Sequence, residues 1–323
     1  MISVAGPIGW AIFGTLIALM LAIDLGVFHR KVHVIRFREA AVWSLVWITL
    51  SLLFNVFVYF RFGGDKALEF FQAWLIEKAL SVDNLFVFLA AFAYFAVPPR
   101  LQHKVLFWGI LGALVTRGAF IAIGAALLAA FHWVTYVFGA FLIVTAARLL
   151  FGGDDDVHPE RNPVLALFRR FVRVTPEYAG GRFLARRDGR LYATPLLMVL
   201  VVIEATDVVF AVDSIPAVFA VTRDVFIVYT SNIFAIFGLR ALCFVVASLV
   251  RKLHYLKAGL AFVLAFVGIK MLVADRFRIS DTVSLIVVAG LIVGAAVASF
   301  LFPPESRGKG GGDGDGGSDP PVS

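Results

Sequence analysis

Two apolar stretches carry more carboxylates than a hydrophobic run should. VVIEATDVVFAVDSIPAVF, residues 201–219, holds Glu204, Asp207 and Asp213. LIEKALSVDNLFVFLAAF, residues 75–92, holds Glu77 and Asp83 with Ser81 and Asn84 between or beside them. Carboxylates, an amide and hydroxyls form an all-oxygen donor set. Such sets suit Mg²⁺, Ca²⁺ or Mn²⁺ and argue against Cu(I), Zn²⁺ or iron–sulfur chemistry. The single cysteine, Cys243, the four Met and the six His, which fall in loops or at the ends of apolar runs, add no softer ligand set. Paired carboxylates in a low dielectric repel one another and tend to take up protons. A divalent cation would replace those protons, which gives a physical basis for cation/proton exchange. The competing reading is a set of buried ion pairs with Lys78, Arg117, Arg148 or Arg240, since a buried charge needs a partner.

The elements that must carry these acids are membrane helices. Of 323 residues 61% are hydrophobic and only 16% are charged, with 33 Phe and a mean hydropathy of +0.91. A soluble domain is nearer about a quarter charged. A bilayer core needs about 20 apolar helical residues. Runs of that kind fall near 7–28, 41–60, 68–97, 105–128, 133–151, 193–221, 225–250, 256–274 and 281–302. With the N-terminus outside, the inside loops hold 19 Lys and Arg and the outside loops 5, so the positive-inside rule selects N-out, C-in. The net charge of +7 is then the basic inner face of a multi-pass protein rather than a footprint for nucleic acid.

Inside lipid, an acid at a helix centre costs about 2.5–3.5 kcal/mol even on lenient scales. The runs hold six such acids, Asp24 and the five named above, and those five share just two of the nine runs. The two acid-rich runs echo each other. Laying Asp83 on Asp213 puts Asn84 on Ser214 and Glu77 on Asp207. Downstream, Gly109 to Arg117 and Asn232 to Arg240 keep the same spacing. The third run then passes outside to inside and the sixth inside to outside, so the repeats are inverted, a common plan of secondary transporters. Helical periodicity groups Glu77, Ser81 and Asn84 on one stripe and Glu204, Asp207, Ala211 and Ser214 on another. Asp83 and Asp213 fall off those stripes, because six residues turn a helix by about 600°. They serve a second site or the helix breaks locally, and Pro216 points to a break in the sixth run.

Between the fifth and sixth runs lies the one long connection, 152–192, read as a cytoplasmic loop. Its FRRFVRV piece, 168–174, is either a short helix on an anionic leaflet or a solvated linker. Asp154, Asp155 and Asp156 read as a solvated acidic run. The transmembrane domain is 1–302, and 303–323 has the composition of a disordered tail.

On these residues the chain resembles the TerC/Alx family of integral membrane proteins. The matching pieces are DLGVFHRKVHVIRFREA (24–40), LIEKALSVDNLFVF (75–88), VPPRLQHKVLFWGILGALVTRGAFI (97–121), IEATDVVFAVDSIPAVFAVTRD (203–224) and YTSNIFAIFGLRALCF (229–244). The likeness runs from about residue 8 to 302, and one departure is Ala73-Trp74 where the family pattern has Gly-Tyr. It implies a nine-span protein of the bacterial inner (plasma) membrane that exports Mn²⁺, with proton drive in prospect. The tellurium-resistance name is left chemically unexplained. The metal residues it implies are Glu77, Asp83 and Asn84 in one repeat and Glu204, Asp207, Asp213 and Ser214 in the other, while Asp24 has no clear role.

The expectation is therefore an all-α, polytopic helix bundle of two inverted repeats that exports a divalent metal ion. Its partners are the lipid bilayer, the cation and, in an exchange cycle, protons. No resident cofactor is expected, and homo-oligomers or other membrane proteins are left open as partners. The second reading is a membrane scaffold, serving a stress- or tellurite-resistance complex or membrane protein biogenesis. An enzyme is not expected, because the sequence shows no nucleophile–base pair and no Gly-rich phosphate loop.

Overall fold

Apolar runs with paired internal backbone groups can only be helices in lipid, and helices are what they become. The computed structural model describes residues 3–28, 37–151, 163–187, 189–249, 255–277 and 279–301. The acidic run 154–156 and the tail 303–323 lie outside the described residues. The helices are α1 (Pro7–Phe28), α2 (Phe37–Phe62), α3 (Gly64–Tyr94), α4 (Pro99–Ala130), α5 (Val134–Phe151), α6 (Pro163–Phe171), α7 (Pro195–Phe219), α8 (Val225–Ile236), α9 (Leu239–Leu249), α10 (Leu256–Val273) and α11 (Asp281–Leu301). Each of the nine apolar runs is helical, the run 225–250 being shared by α8 and α9. Among the described residues six helices are long and apolar enough to cross a membrane, and the bent pair α8–α9, taken as one span, makes a seventh. Over its apolar half, α3 carries Glu77, Lys78 and Asp83, which keeps it from meeting that standard on composition.

The packing order decides where the acids meet. α3 packs on α7 and α8, and α4 packs on the same two helices. Two helical hairpins, α3–α4 and α7–α8, thus interleave, and each helix of one hairpin lies between the two helices of the other. α2 covers α3 and α9, while α5 packs on α10 and α10 on α11. Small residues let the α5–α10 pair close up: a Cβ on Gly139 would stand 3.0 Å from the Gly268 carbonyl. The N-terminal helix docks through rings, with Phe13 and Trp10 set against Phe226 and Tyr229 of α8. Outward-facing Leu45, Leu53, Phe60, Val115 and Ile123 are exposed, as side chains facing lipid would be.

Two local structures differ from expectation. Pro216 does not break the sixth run: α7 is continuous from Pro195 to Phe219. The proline sits in its last turn, where one lost backbone bond matters little. The break lies in the next run, at Phe237–Gly238, where α8 meets α9 at 46°. Gly238 has φ +85°, a conformation that favours glycine. Phe237 stacks on Trp47 at 5.1 Å, and a Cβ at position 238 would lie 2.8 Å from the Trp47 Cβ. Gly238→Ala is therefore expected to lower stability by about 1–3 kcal/mol, read as a lower melting temperature of the purified protein. An unchanged melting temperature would show that the bend is not fixed there.

The second difference is in the long connection. A helix does form, but it is α6 at 163–171, ahead of the expected 168–174. It is followed by an antiparallel hairpin of β1 (Leu184–Arg187) and β2 (Arg190–Ala193). Thr194 Oγ1 donates to the carbonyls of Arg182 (2.7 Å) and Phe183 (3.1 Å), which ties the hairpin to the start of α7.

Candidate ion-binding centre

The centre of the interleaved hairpins is organised by a cation that belongs to the chain. Arg117 of α4 is 1% exposed, the largest fully buried side chain among the described residues. It forms a close ion pair with Glu77 of α3 and a second with Asp207 of α7 at 3.2 Å. The same guanidinium donates to Asn232 Oδ1 of α8 at 3.0 Å and to Ser214 Oγ of α7 at 3.4 Å. Asn232 Nδ2 in turn donates to Glu77 Oε2 at 3.2 Å, and Thr116 Oγ1 donates to Asp207 Oδ2 at 3.5 Å. One guanidinium thus ties together four helices. Desolvating it is expensive, and the two carboxylates with their extra hydrogen bonds offset that cost. For Glu77 and Asp207 the ion-pair reading raised by the sequence is what the structure holds. Arg117 appeared there only as one of four candidate partners, and its place among polar neighbours was not legible from spacing alone.

Beside this knot lies a cavity with about 40 Å³ open to the centre of a water-sized sphere. That is room for more than one water, since a single one needs about 10–15 Å³. Glu77, Asn84 and Leu80 line it from α3, Asp213, Ser214 and Phe210 from α7, Arg117 from α4 and Thr145 from α5. The Oδ1 of Asn84 is buried with no hydrogen-bond partner among the described residues. Asp213 is half-buried, and its Oδ1 accepts from Thr145 Oγ1 at 3.2 Å. Asp213 lies off the Asp207–Ser214 stripe, as the sequence indicated, yet the cavity reaches it, because α5 closes that side. No helix break is needed to bring it in.

The remaining candidates fall elsewhere. Glu204 sits one turn from Asp207 with its carboxyl against the Cα of Gly112 on α4, and it does not line the cavity. The side chains of Asp83 and Asp24 lie outside the described residues. Among the described residues no three His, Cys, Asp or Glu side chains gather into a group that could hold a metal ion. Glu77, Asp207 and Asp213 are instead dispersed around Arg117 and the cavity, with amide and hydroxyl oxygens between them.

A half-buried cation supports the bend. Lys78 Nζ donates to the carbonyls of Ala235 (3.1 Å) and Phe237 (3.4 Å). These are end-of-helix carbonyls that α8 cannot satisfy itself, and a cation at a helix C-terminus is favoured by the macrodipole. Lys78→Met is expected to cost about 1–3 kcal/mol by stranding them, measured as a loss of thermal stability. A variant as stable as the wild type would show that these carbonyls find other partners.

The sequence model of the integral membrane protein TerC family matches residues 62–306. An uncharacterized membrane protein of Myxococcus xanthus is 50% identical over 299 residues, covering 93% of this chain and 94% of its own. The Escherichia coli K12 protein named "Putative membrane-bound redox modulator Alx" is 45% identical over 300 residues, covering 90% and 94%. An uncharacterized membrane protein of Rickettsia felis is 40% identical over 292 residues, covering 90% and 97%. No solved structure matches. The matched span takes in Glu77, Arg117, Asp207, Asp213 and Asn232, and the chain belongs to the TerC family of integral membrane proteins.

Proposed function

We propose that this protein exports a divalent cation, Mn²⁺ above all, across the bacterial plasma membrane in exchange for protons. The observation that carries the reading is the central cavity. Oxygen donors from α3 (Glu77, Asn84) and from α7 (Asp213, Ser214) converge on it, and one of them, Asn84 Oδ1, has no partner among the described residues.

Charge supports the assignment. Fully ionised, Glu77, Asp207 and Asp213 against Arg117 leave two net negative charges at and around the cavity. One divalent cation neutralises them, and so do two protons. The two fillings compete for the same charge, which couples cation release to proton uptake. Hard oxygen ligands suit Mn²⁺, Mg²⁺ or Ca²⁺, and the cation is cargo.

Nine crossings, N-out and C-in, put the hairpin of β1 and β2 in the cytoplasm. An exchange of the hairpins α3–α4 and α7–α8 maps the α3–α8 packing onto α7–α4, which favours two inverted repeats. Movement of one hairpin against the other would then open the cavity to each side in turn. The redox wording in the name of the Escherichia coli relative has less to draw on here, since the chain holds one cysteine, Cys243, and it is buried.

The test is flux. Purified protein in proteoliposomes with a Mn²⁺-quenched dye inside should admit Mn²⁺ faster than protein-free vesicles, and an opposing proton gradient should change the rate. Flux no greater than in protein-free vesicles would remove the transport reading and bring the scaffold forward.

A further inference from the structure

The connection between α5 and α7 carries a surface that the transport reading does not use. Residues 163–193 contain seven arginines against two carboxylates. Among them Arg170, Arg173, Arg182, Arg186 and Arg190 are exposed. Apolar side chains are exposed beside them. On α6, Leu165 is buried and Phe168 packs on the core, but Leu167 and Phe171, four residues apart on the opposite side, are 57% and 78% exposed. On the hairpin, Arg186 pairs with Leu191, and Leu184 lies two residues from Arg186 on the same face, so two exposed leucines flank one arginine.

An exposed apolar stripe among arginines is unfavourable in water alone and is what the interface of an anionic bilayer accommodates. The position fits as well. β2 ends at Ala193 and the apolar span of α7 begins at Pro195. A four-residue strand reaches about 13 Å, and the headgroup layer is about 5–8 Å deep. The hairpin therefore stands within or just above the headgroups. The unit is also anchored, because Lys104 Nζ donates to the Gly181 carbonyl at 2.8 Å and Tyr178 Oη donates to the Phe95 carbonyl. We infer that α6 and the β1–β2 hairpin form a docking surface for anionic phospholipid, with Leu167 and Phe171 entering the acyl boundary and the arginines engaging headgroup phosphates. On the orientation proposed above, the surface meets the cytoplasmic leaflet.

The test uses the full chain in lipid nanodiscs, either phosphatidylcholine alone or phosphatidylcholine with phosphatidylglycerol, and needs no Mn²⁺. An environment-sensitive fluorophore on Phe171→Cys reports contact with brominated acyl chains, while native Cys243 is buried and does not compete for label. Quenching and a blue shift are expected in the anionic discs and not in the neutral ones. The R170Q/R173Q/R186Q variant should weaken that preference by about fivefold per arginine removed. Equal quenching in both discs, or a preference untouched by the triple variant, would overturn the inference. So would inorganic phosphate reproducing the shift in neutral discs, which would mean a soluble-anion site, or RNA reproducing it. Because no transport is measured, failure here leaves the exporter reading standing, and failure of export leaves this surface standing.

Discussion

Arg117→Met is expected to destabilise the fold by about 3–5 kcal/mol, the range for a buried ion pair broken from one side. The reason is what stays behind. Glu77 and Asp207 would remain buried, facing each other across the bundle with their shared cation gone. Asn232 and Ser214 would lose the group that orients them. Methionine fills much of the volume, so the effect reports charge more than a hole. Removing the acids as well separates the two contributions. The triple variant with Glu77→Gln and Asp207→Asn should recover most of the lost stability, since no uncompensated charge is left in the bundle. Thermal unfolding of the detergent-purified proteins checks both statements. A single variant as stable as the wild type, or a triple variant worse than the single, would show that Arg117 does not organise the centre.

Asp213→Asn should behave in the opposite way. Its carboxylate lines the cavity, and its hydrogen bond from Thr145 Oγ1 is one that asparagine can also accept. The substitution removes a charge from a half-buried position inside the membrane, so folding is not expected to suffer. Cation binding is. Changes to groups one layer behind a metal ligand already cost about 10–100-fold in affinity, and loss of a charged ligand should exceed that. The expected result is a protein of normal abundance and melting temperature that no longer lowers cellular Mn in manganese-loaded cells lacking the native protein. Elemental analysis of cells carrying the wild type or the variant, at matched membrane levels, reads it directly. If both lower cell Mn equally, Asp213 is not a ligand and the cavity is not the route.

Much of this architecture is legible in the sequence. The helices follow from apolar runs of membrane length, and α1 and α5 end where the runs do. The echo between Glu77–Asp83 and Asp207–Asp213 singles out α3 and α7 as the acid-bearing helices, and these two pack together. What could not be read was partnership across helices. Periodicity places Asp213 off its stripe but says nothing of α5, whose Thr145 closes the cavity there. Pro216 drew attention to the wrong place, because a proline in the last turn interrupts little. The bend that formed depends on Gly238 meeting Trp47, a residue far away in sequence. The β1–β2 hairpin does have a local signal: Asp188-Gly189 between two short runs is a common hairpin turn sequence, and Gly189 has φ +76°.

The interleaving of the two hairpins bears on how the protein is made. Glu77 and Arg117 belong to consecutive helices, α3 and α4, whereas Asp207 and Asn232 are synthesised about ninety residues or more after Arg117. The first hairpin can therefore enter the bilayer with its acid and its arginine paired as a neutral unit. The later carboxylate of α7 then meets a cation already waiting for it. The order in which the helices are made thus sets the order in which the charges of the centre find their partners.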